Sequence, residues 1–178
     1  FGRRDGDGAD GADGGGAPRG RWRVSWTPEN TVFVFITVPS RQNVAEYRRI
    51  EEEVQRTVSE INGAFSTPTN APITFIHRHV EWGELAALYA RADLCLVTPL
   101  VDGMNLVAKE FVAAKARDVA GVVPGAVVLS ERAGAAQEMF DALVVNPHHA
   151  EAVAKAIIAG LEMPRDDRWR ITTPVRDA

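Results

Sequence analysis

The sequence predicts an α/β fold, a Rossmann-like parallel sheet with helices on both of its faces. Short apolar runs, of the length expected for buried strands, recur along the chain. Amphipathic stretches with apolar residues at helical spacing lie between these runs. Such alternation builds βαβ units and hence a parallel sheet. At 178 residues, with 46% hydrophobic and 25% charged residues, the chain is expected to form one domain with a proper core.

The predicted domain lies between two segments of different composition. Residues 1–30 open with Phe1–Gly20, a stretch rich in Gly and Asp that buries too little apolar area to offset its chain entropy. We therefore expect residues 1–30 to be a disordered segment and linker. Residues 31–164 carry the periodic patterns of the domain. Polarity rises after Pro164, so residues 165–178 are predicted to be a polar C-terminal tail.

Composition also argues against several classes of protein. The formal net charge of −4 disfavours a nucleic-acid-binding surface. The longest apolar run, residues 32–38, is too short to span a bilayer, and no signal peptide opens the sequence. The single cysteine, Cys95, lies in an apolar run and is expected to be a buried hydrophobe, which suits a reducing cytosol. We expect a soluble, cytoplasmic protein without nucleic-acid or membrane partners.

The elements follow from the local patterns. Apolar runs predict strands at residues 32–38, 73–76, 94–97, 127–129 and 143–145. Helical spacing predicts helices at residues 44–61, 84–91, 105–114 and 153–161. Residues 134–136 are expected to begin a short helix, whose N-terminus is a further candidate for a position near a ligand. Asn62-Gly63 is expected to end the first helix. The glycine-containing stretch 115–125 is expected to be a surface loop.

Residues 94–114 are the stretch around which the chain is organised. A strand over residues 94–97 leads through a turn at Asp102-Gly103 into a helix that begins at Asn105. The free N–H groups and the dipole of that helix favour an anion at the carboxyl end of the strand, so the turn predicts a phosphate site. An ordinary tight connection is the alternative. Asp102 and Glu110 strengthen the first interpretation, because carboxylates accept hydrogen bonds from sugar hydroxyls.

Two further groups of polar residues have simpler interpretations. His77 and His79 are spaced as metal ligands can be, but no third ligand accompanies them nearby, so a metal site is not predicted. Arg41 stands just past the end of the first strand. Taken by itself, Arg41 is most simply a surface arginine.

Residues 98–114, T-P-L-V-D-G-M-N-L-V-A-K-E-F-V-A-A, resemble the donor-site signature of the trehalose-6-phosphate synthases, glycosyltransferase family 20. Further blocks resemble the family in the same order: V-P-S-R at 38–41, I-N-G at 61–63, L-A-A-L-Y at 85–89, V-L-S-E-R-A-G-A-A at 128–136 and V-V-N-P at 144–147. The resemblance covers roughly residues 31–164. It implies the C-terminal half of a GT-B glycosyltransferase, with residues 31–164 as the nucleotide-sugar-binding domain.

The resemblance also implies an activity and a set of site residues. The family transfers glucose from UDP-glucose to glucose 6-phosphate in trehalose biosynthesis, with retention and without a metal or other cofactor. By position, Arg41 would bind the phosphate of glucose 6-phosphate, and Asp102 would be the catalytic residue that holds glucose hydroxyls. Lys109 is interpreted as a surface partner and not as a catalyst. The implied donor-binding residues are Val80 at the uracil, Asp102, Gly103, Met104, Asn105, Leu106 and Val107 near the glucose and diphosphate, and Glu110 at the ribose.

Several departures from the family pattern limit this interpretation. The family clamps the donor phosphates with an Arg and a Lys in an R-x-D-Y-x-K-G-like segment upstream, and nothing in residues 1–30 matches it. The N-terminal acceptor domain is also missing, and Arg132 stands where an aromatic is usual. We expect a partial chain, inactive alone, whose partners are the two substrates, the missing domain, and a homo-oligomer or synthase/phosphatase complex. The alternative is a non-catalytic UDP-sugar-binding, regulatory or scaffold subunit of a synthase complex.

Overall fold

The computed structural model describes residues 27, 29–39, 45–115 and 119–172. The predicted disordered segment falls almost wholly outside these residues, as does Arg41. The expectations for that segment and for Arg41 therefore stay predictions.

Strands and helices alternate along the described residues. The strands are β1 (Phe33–Thr37), β2 (Ile73–His77), β3 (Leu94–Val97), β4 (Ala126–Ser130) and β5 (Leu143–Val145). The helices are α1 (Ala45–Phe65), α2 (Trp82–Arg91), α3 (Leu106–Ala113), α4 (Ala150–Glu162) and α5 (Arg165–Thr172), with a 3₁₀ turn at Gly134–Gln137. The α/β class and the predicted strands are confirmed, and β3 and β5 have the predicted bounds.

The strands form two parallel sheets. β1 pairs with β2, with Phe33 opposite Ile73, and the second sheet has the order β3-β4-β5. Parallel pairing is therefore confirmed. Among the described residues β1 and β3 do not pair with each other, and β1 remains half-exposed.

The core lies around β4, whose five residues are all fully buried. α4 packs on all three strands of this sheet, while α3 contacts β3 and α5 contacts both β4 and α3. Phe111 of α3 and Leu129 of β4 are the largest fully buried apolar side chains. The strand with neighbours on both edges is thus the strand that is covered best.

The first helix continues past its predicted stop. α1 runs to Phe65, so Asn62 and Gly63 lie within its last turn. The Asn62 side chain donates to the Ile73 carbonyl and accepts from the Ile73 amide, both at 2.9 Å. Asn62 therefore anchors the helix to the start of β2, a role that local turn propensity does not reveal.

Residues 165–172 are a packed helix, which corrects the predicted polar tail. Arg168 is only 4% exposed, and its guanidinium donates to the carbonyls of Met163 and Leu161 and to the Asp93 carboxylate. Trp169 beside it is also buried. The domain therefore extends beyond residue 164, because two residues in a polar stretch bury their side chains against the sheet.

The predicted surface loop after α3 begins with a buried lysine. Lys115 is 2% exposed, and its Nζ donates to the carbonyls of Ala92 at 2.6 Å and Ala90 at 3.3 Å. The same Nζ lies 4.7 Å from the centre of the Phe111 ring. Lys115 thus ties the end of α2 to the end of α3, which corrects the prediction at this residue.

Cys95 is partly exposed, although its thiol is packed against the core. Burial raises the pKa of Cys95 to about 12, as expected for an inert thiol rather than a reactive one. Among the residues described, no helix combines the length and the apolar character needed to cross a membrane.

Candidate functional site

The turn that precedes α3 is closed by the Asp102 carboxylate. Its Oδ1 accepts from the backbone amides of Met104 and Asn105, both at 3.1 Å, and its Oδ2 accepts from the Asn105 side chain at 3.0 Å. The Met104 amide, followed by the Asn105 side chain, holds the pKa of Asp102 below its usual value. Asp102 is therefore a carboxylate, and it lies in the turn rather than within the helix.

Asn105 is the residue that begins the helix. Its φ of 69° is in the left-handed region, which Asn tolerates better than most residues do. Its Oδ1 accepts from the Ala108 amide at 3.1 Å, so Asn105 is the N-cap of α3. The predicted helix start is thus displaced by one residue, to Leu106.

Some of the backbone amides predicted to bind phosphate are already used in hydrogen bonds to Asp102, and others are not. Met104 and Asn105 already donate to Asp102. Within the described part of the chain, the amides of Gly103, Leu106 and Val107 have no acceptor. Leu106 and Val107 are also exposed residues, and their amides lie at the positive end of the helix dipole, where an anion is favoured.

The loop after β4 holds the turn in place. The amides of Gly134 and Ala135 donate to the carbonyls of Asp102 at 3.1 Å and Met104 at 2.7 Å, and the Asp102 amide donates to Arg132 at 3.2 Å. A Cβ on Gly134 would lie 2.1 Å from the Gly103 carbonyl oxygen. The two loops can approach this closely only because residue 134 is a glycine.

This contact corrects the second predicted helix N-terminus. The sequence suggested that residues 134–136 offer free amides near a ligand, but the amides of Gly134 and Ala135 are used by the neighbouring turn. The small residues in A-G-A-A, 133–136, were the available signal of a close backbone approach. Arg132 itself is exposed, and its carbonyl accepts from Asp102.

Glu110 lies on α3 beside Tyr89 of α2. Burial, followed by the proximity of Cys95 and Glu110, raises the pKa of Tyr89 to about 12. The Tyr89 ring meets Phe111 edge-on with 5.9 Å between ring centres. Core packing therefore fixes the tyrosine next to the carboxylate that the sequence singled out, a neighbour that the sequence analysis did not assign.

The remaining predicted residues differ in their surroundings. Val80, which follows β2, is buried at 7% exposure. The Lys109 ammonium lies 2.6 Å from the Glu138 carboxylate, an ion pair that the sequence did not predict. Arg41 lies outside the described residues.

The carboxyl ends of β1 and β2 carry a polar network that the sequence analysis missed. His77 Nδ1 lies 2.8 Å from the Thr37 hydroxyl, and its Nε2 lies 2.8 Å from the Glu51 carboxylate. These partners come from three different elements, so no local motif signals them. Among the described residues no group of three or more His, Cys, Asp or Glu side chains is placed to hold a metal ion.

Comparison with known proteins shows which family the chain resembles. Residues 24–176 match the family model of glycosyltransferase family 20. The chain is 45% identical over 139 residues to a bifunctional trehalose-6-phosphate synthase/phosphatase of Thermoproteus tenax, covering 78% of this chain and 18% of that protein. It is 43% identical over 145 residues to the trehalose-6-phosphate synthase of Mycolicibacterium gilvum, covering 81% and 28% respectively.

Solved structures give the same result. An α,α-trehalose-phosphate synthase (UDP-forming) of Burkholderia xenovorans, in complex with glucose-6-phosphate, superposes with a TM-score of 0.74 at 40% identity. A structure from E. coli bound with UDP-2-fluoro glucose superposes with a TM-score of 0.74 at 36% identity. Each comparison covers 79% of this chain and 30% of the other. The chain thus spans less than a third of the length of the relatives that it matches.

Proposed function

This chain belongs to glycosyltransferase family 20, and from that membership we propose that it is the donor-binding half of a UDP-forming trehalose-6-phosphate synthase. In the proposed reaction, the bond between glucose and the diphosphate of UDP-glucose breaks, and a bond to a hydroxyl of glucose 6-phosphate forms. The products are trehalose 6-phosphate and UDP. Because the relatives are more than three times as long as the matched region, the acceptor would be bound by residues outside this chain.

The proposal rests on the N-terminus of α3, where some backbone amides have no hydrogen-bond acceptor in the described part of the chain. The amides of Leu106 and Val107 would donate to the diphosphate, whose negative charge grows as the bond to glucose breaks. Donors that are already oriented stabilise such charge without reorganisation at the moment of reaction. The contact with Gly134 supplies that orientation, because it fixes the backbone of the turn.

The two carboxylates would bind the sugars of the donor. Asp102 is ionised and already accepts three hydrogen bonds, so it suits the role of an acceptor for glucose hydroxyls better than that of a proton donor. Glu110 would accept from the ribose hydroxyls. Backbone groups around Val80 would face the uracil, and Arg41 would bind the phosphate of glucose 6-phosphate.

A calorimetric titration with UDP tests the donor site directly. We expect saturable binding by this chain and weaker binding by Glu110→Ala, because hydrogen bonds from the ribose to a charged acceptor are lost. The loss should be roughly 1.5–3 kcal/mol, or about ten- to a hundredfold in Kd. Glu60→Ala on the exposed face of α1 is the matched control and should bind UDP like the parent chain.

Two results would contradict the assignment. If millimolar UDP does not bind, this half lacks a working donor site. If Glu110→Ala and Glu60→Ala bind UDP equally well, the ribose is held elsewhere. Binding of UDP without glucose transfer, even after the missing region of a relative is supplied, would instead support a non-catalytic subunit.

Several finer expectations stay predictions. The isolated chain is expected to have little or no transferase activity. Reaction without a metal or other cofactor, a cytoplasmic location, and assembly into a homo-oligomer or a synthase/phosphatase complex are likewise predictions. The T. tenax relative is named as a bifunctional synthase/phosphatase, which motivates the last of them.

A further inference from the structure

The segment between β2 and α2 is held by side chains rather than by backbone pairing. β2 ends at His77 and α2 begins at Trp82. Between them, Arg78, His79 and Val80 make no backbone–backbone hydrogen bond with any other described residue. The side-chain contacts on either side of the segment therefore decide its shape.

His77 fixes the point at which the segment leaves β2. Its two ring nitrogens lie 2.8 Å from the Thr37 hydroxyl of β1 and 2.8 Å from the Glu51 carboxylate of α1. The ring also stacks on Phe75 of β2, with 5.8 Å between ring centres. Because the partners belong to three different elements, the chain enters the segment from a fixed position.

Arg78 joins the segment to the first turn of α2. Its guanidinium donates to both carboxylate oxygens of Glu84, at 2.6 and 3.0 Å. These hydrogen bonds raise the pKa of Arg78 and lower the pKa of Glu84, so the two groups stay oppositely charged. A paired contact of this kind fixes the orientation of the guanidinium as well as its position.

The same guanidinium also fixes a peptide group. Arg78 Nη1 donates to the His79 carbonyl at 3.1 Å. That carbonyl belongs to the same planar peptide group as the Val80 amide, so the carbonyl and the N–H point in opposite directions. Holding the His79 carbonyl therefore also sets the direction of the Val80 N–H.

Val80 carries hydrogen-bonding groups that lack a partner. The residue is 7% exposed, yet neither its amide nor its carbonyl is hydrogen-bonded to another part of the described chain. The large majority of buried backbone groups are paired in native proteins, so an unpaired donor and acceptor on one such residue need an explanation. A ligand with an adjacent donor and acceptor would satisfy both groups, and uracil has an N3–H donor beside its O4 acceptor.

We propose that Arg78 and Glu84 are a positioning pair that makes the donor site prefer uracil, because they orient the Val80 amide. This role rests on the proposed donor-binding function. The pair acts through the peptide group between His79 and Val80, not by contact with the nucleotide. Cytosine has an amino donor in place of O4 and an unprotonated N3, so it meets the Val80 groups only by shifting in the site. A fixed amide therefore favours uracil, whereas a mobile amide accommodates either base.

Calorimetric titrations with UDP and with CDP test this role, since the two nucleotides share the ribose and the diphosphate. In Arg78→Met, UDP affinity should fall by about three- to tenfold, as expected for one oriented hydrogen bond, while CDP affinity stays the same. Arg78→Lys keeps the charge but not the fork of donors, and should lose most of the same preference. Arg56→Met on the exposed face of α1 is the matched control and should bind both nucleotides like the parent chain.

Two further measurements separate a positioning role from a general structural one. Exposed ion pairs contribute little to stability, so Arg78→Met and Arg56→Met should unfold at similar temperatures. Without any nucleotide, NMR relaxation should show a rigid Val80 amide in the parent chain and a more mobile one in Arg78→Met. Glu84→Gln weakens the same pair, so its effect on UDP affinity should not add to that of Arg78→Met.

Three outcomes would overturn this role. The first is an equal fall of UDP and CDP affinity in Arg78→Met, since the pair would then support the fold or the rest of the nucleotide. The second is unchanged UDP affinity, or a Val80 amide that is equally rigid in both proteins. The third is equal binding of UDP and CDP by the parent chain.

Failure of the donor-site proposal itself would be recognised separately. If the parent chain binds neither nucleotide, the donor site is absent and the positioning role falls with it. Glu110→Ala should weaken UDP and CDP alike, because it removes a contact with the ribose that both share. A loss confined to UDP is therefore specific to the base.

Discussion

β1 and β4 are both apolar parallel strands of five residues, yet β4 is fully buried and β1 is half-exposed. The difference lies in their neighbours. β4 pairs with β3 on one edge and β5 on the other, and α4 and α5 pack on it. β1 pairs with β2 alone, and α1 packs mainly on β2. Composition makes a strand suitable for burial, but the elements around it decide whether it is buried.

The well-covered part of the molecule, around β4, also carries the candidate donor site. The turn before α3 lies there, and the loop after β4 holds its backbone. We therefore expect the donor side of the site to be formed in this chain.

The largest expected effect is on stability. It compares the loss of a phenylalanine from the well-covered part around β4 with the loss of one from β1. Phe111→Ala removes a fully buried ring and should cost about 3–5 kcal/mol of unfolding free energy. Phe35→Ala removes a ring that is already 46% exposed, so its cost should be about 1–2 kcal/mol. Urea denaturation followed by circular dichroism measures both. Equal losses would mean that β1 is covered as well as the core is.

A smaller effect is expected at the contact between the two loops. Gly134→Ala places a methyl group against the Gly103 carbonyl, and such overpacking should cost about 1–3 kcal/mol and weaken UDP binding. Gly83→Ala on α2 has open space around the added methyl group, so it should be neutral or stabilise by up to about 1 kcal/mol. Thermal unfolding and calorimetry on both variants check this. Unchanged UDP affinity in Gly134→Ala would remove the loop contact from the site.

The buried Lys115 predicts that the stability of the chain depends on pH. Burial lowers the pKa of Lys115 to about 8, whereas an unfolded lysine has a pKa of about 10.4. Between these values the unfolded chain binds more protons than the folded chain, so stability contributed by this residue rises with pH from about 8 to 10. Below pH 8 both states are protonated, and the contribution is constant.

Lys115→Met isolates this contribution. The stability of the parent chain relative to the variant should rise between pH 8 and 10, by at most about 1.4 kcal/mol per pH unit. Cys95 and Tyr89, whose pKa values are raised to about 12, act in the opposite direction in both proteins and largely cancel in the comparison. Urea titrations of the parent chain and the Lys115→Met variant at several pH values measure this stability difference. A flat difference would mean that Lys115 is well solvated.

The smallest effect concerns the backbone at the helix start. Asn105→Gly keeps the positive φ accessible and should cost only about a few tenths of a kcal/mol. Asn105→Ala loses the cap and disfavours that φ, so it should cost about 1 kcal/mol or more. Thermal denaturation of the two variants distinguishes the cases. If Gly and Ala cost the same, the positive φ does not contribute.

Much of the fold could be predicted from local pattern. The strand bounds were correct or displaced by one residue at one or both ends, and the turn into α3 was identified from Asp102, Gly103 and the change of period. The parts that were wrong share one cause. Asn62 within α1, Lys115 in the expected loop and Arg168 in the expected tail are each held by partners distant in sequence.

The sequence by itself determined the α/β class, the order of the elements up to α4 and the family, because these depend on local periodicity and on blocks of residues in order. Only the tertiary structure decided which amides of the α3 turn are free, since Asp102 and the loop around Gly134 use the others. It also decided that β1 is exposed while β4 is buried. Burial and hydrogen-bond satisfaction depend on all the surfaces that surround a residue, and local sequence specifies only the residue's own side of each contact.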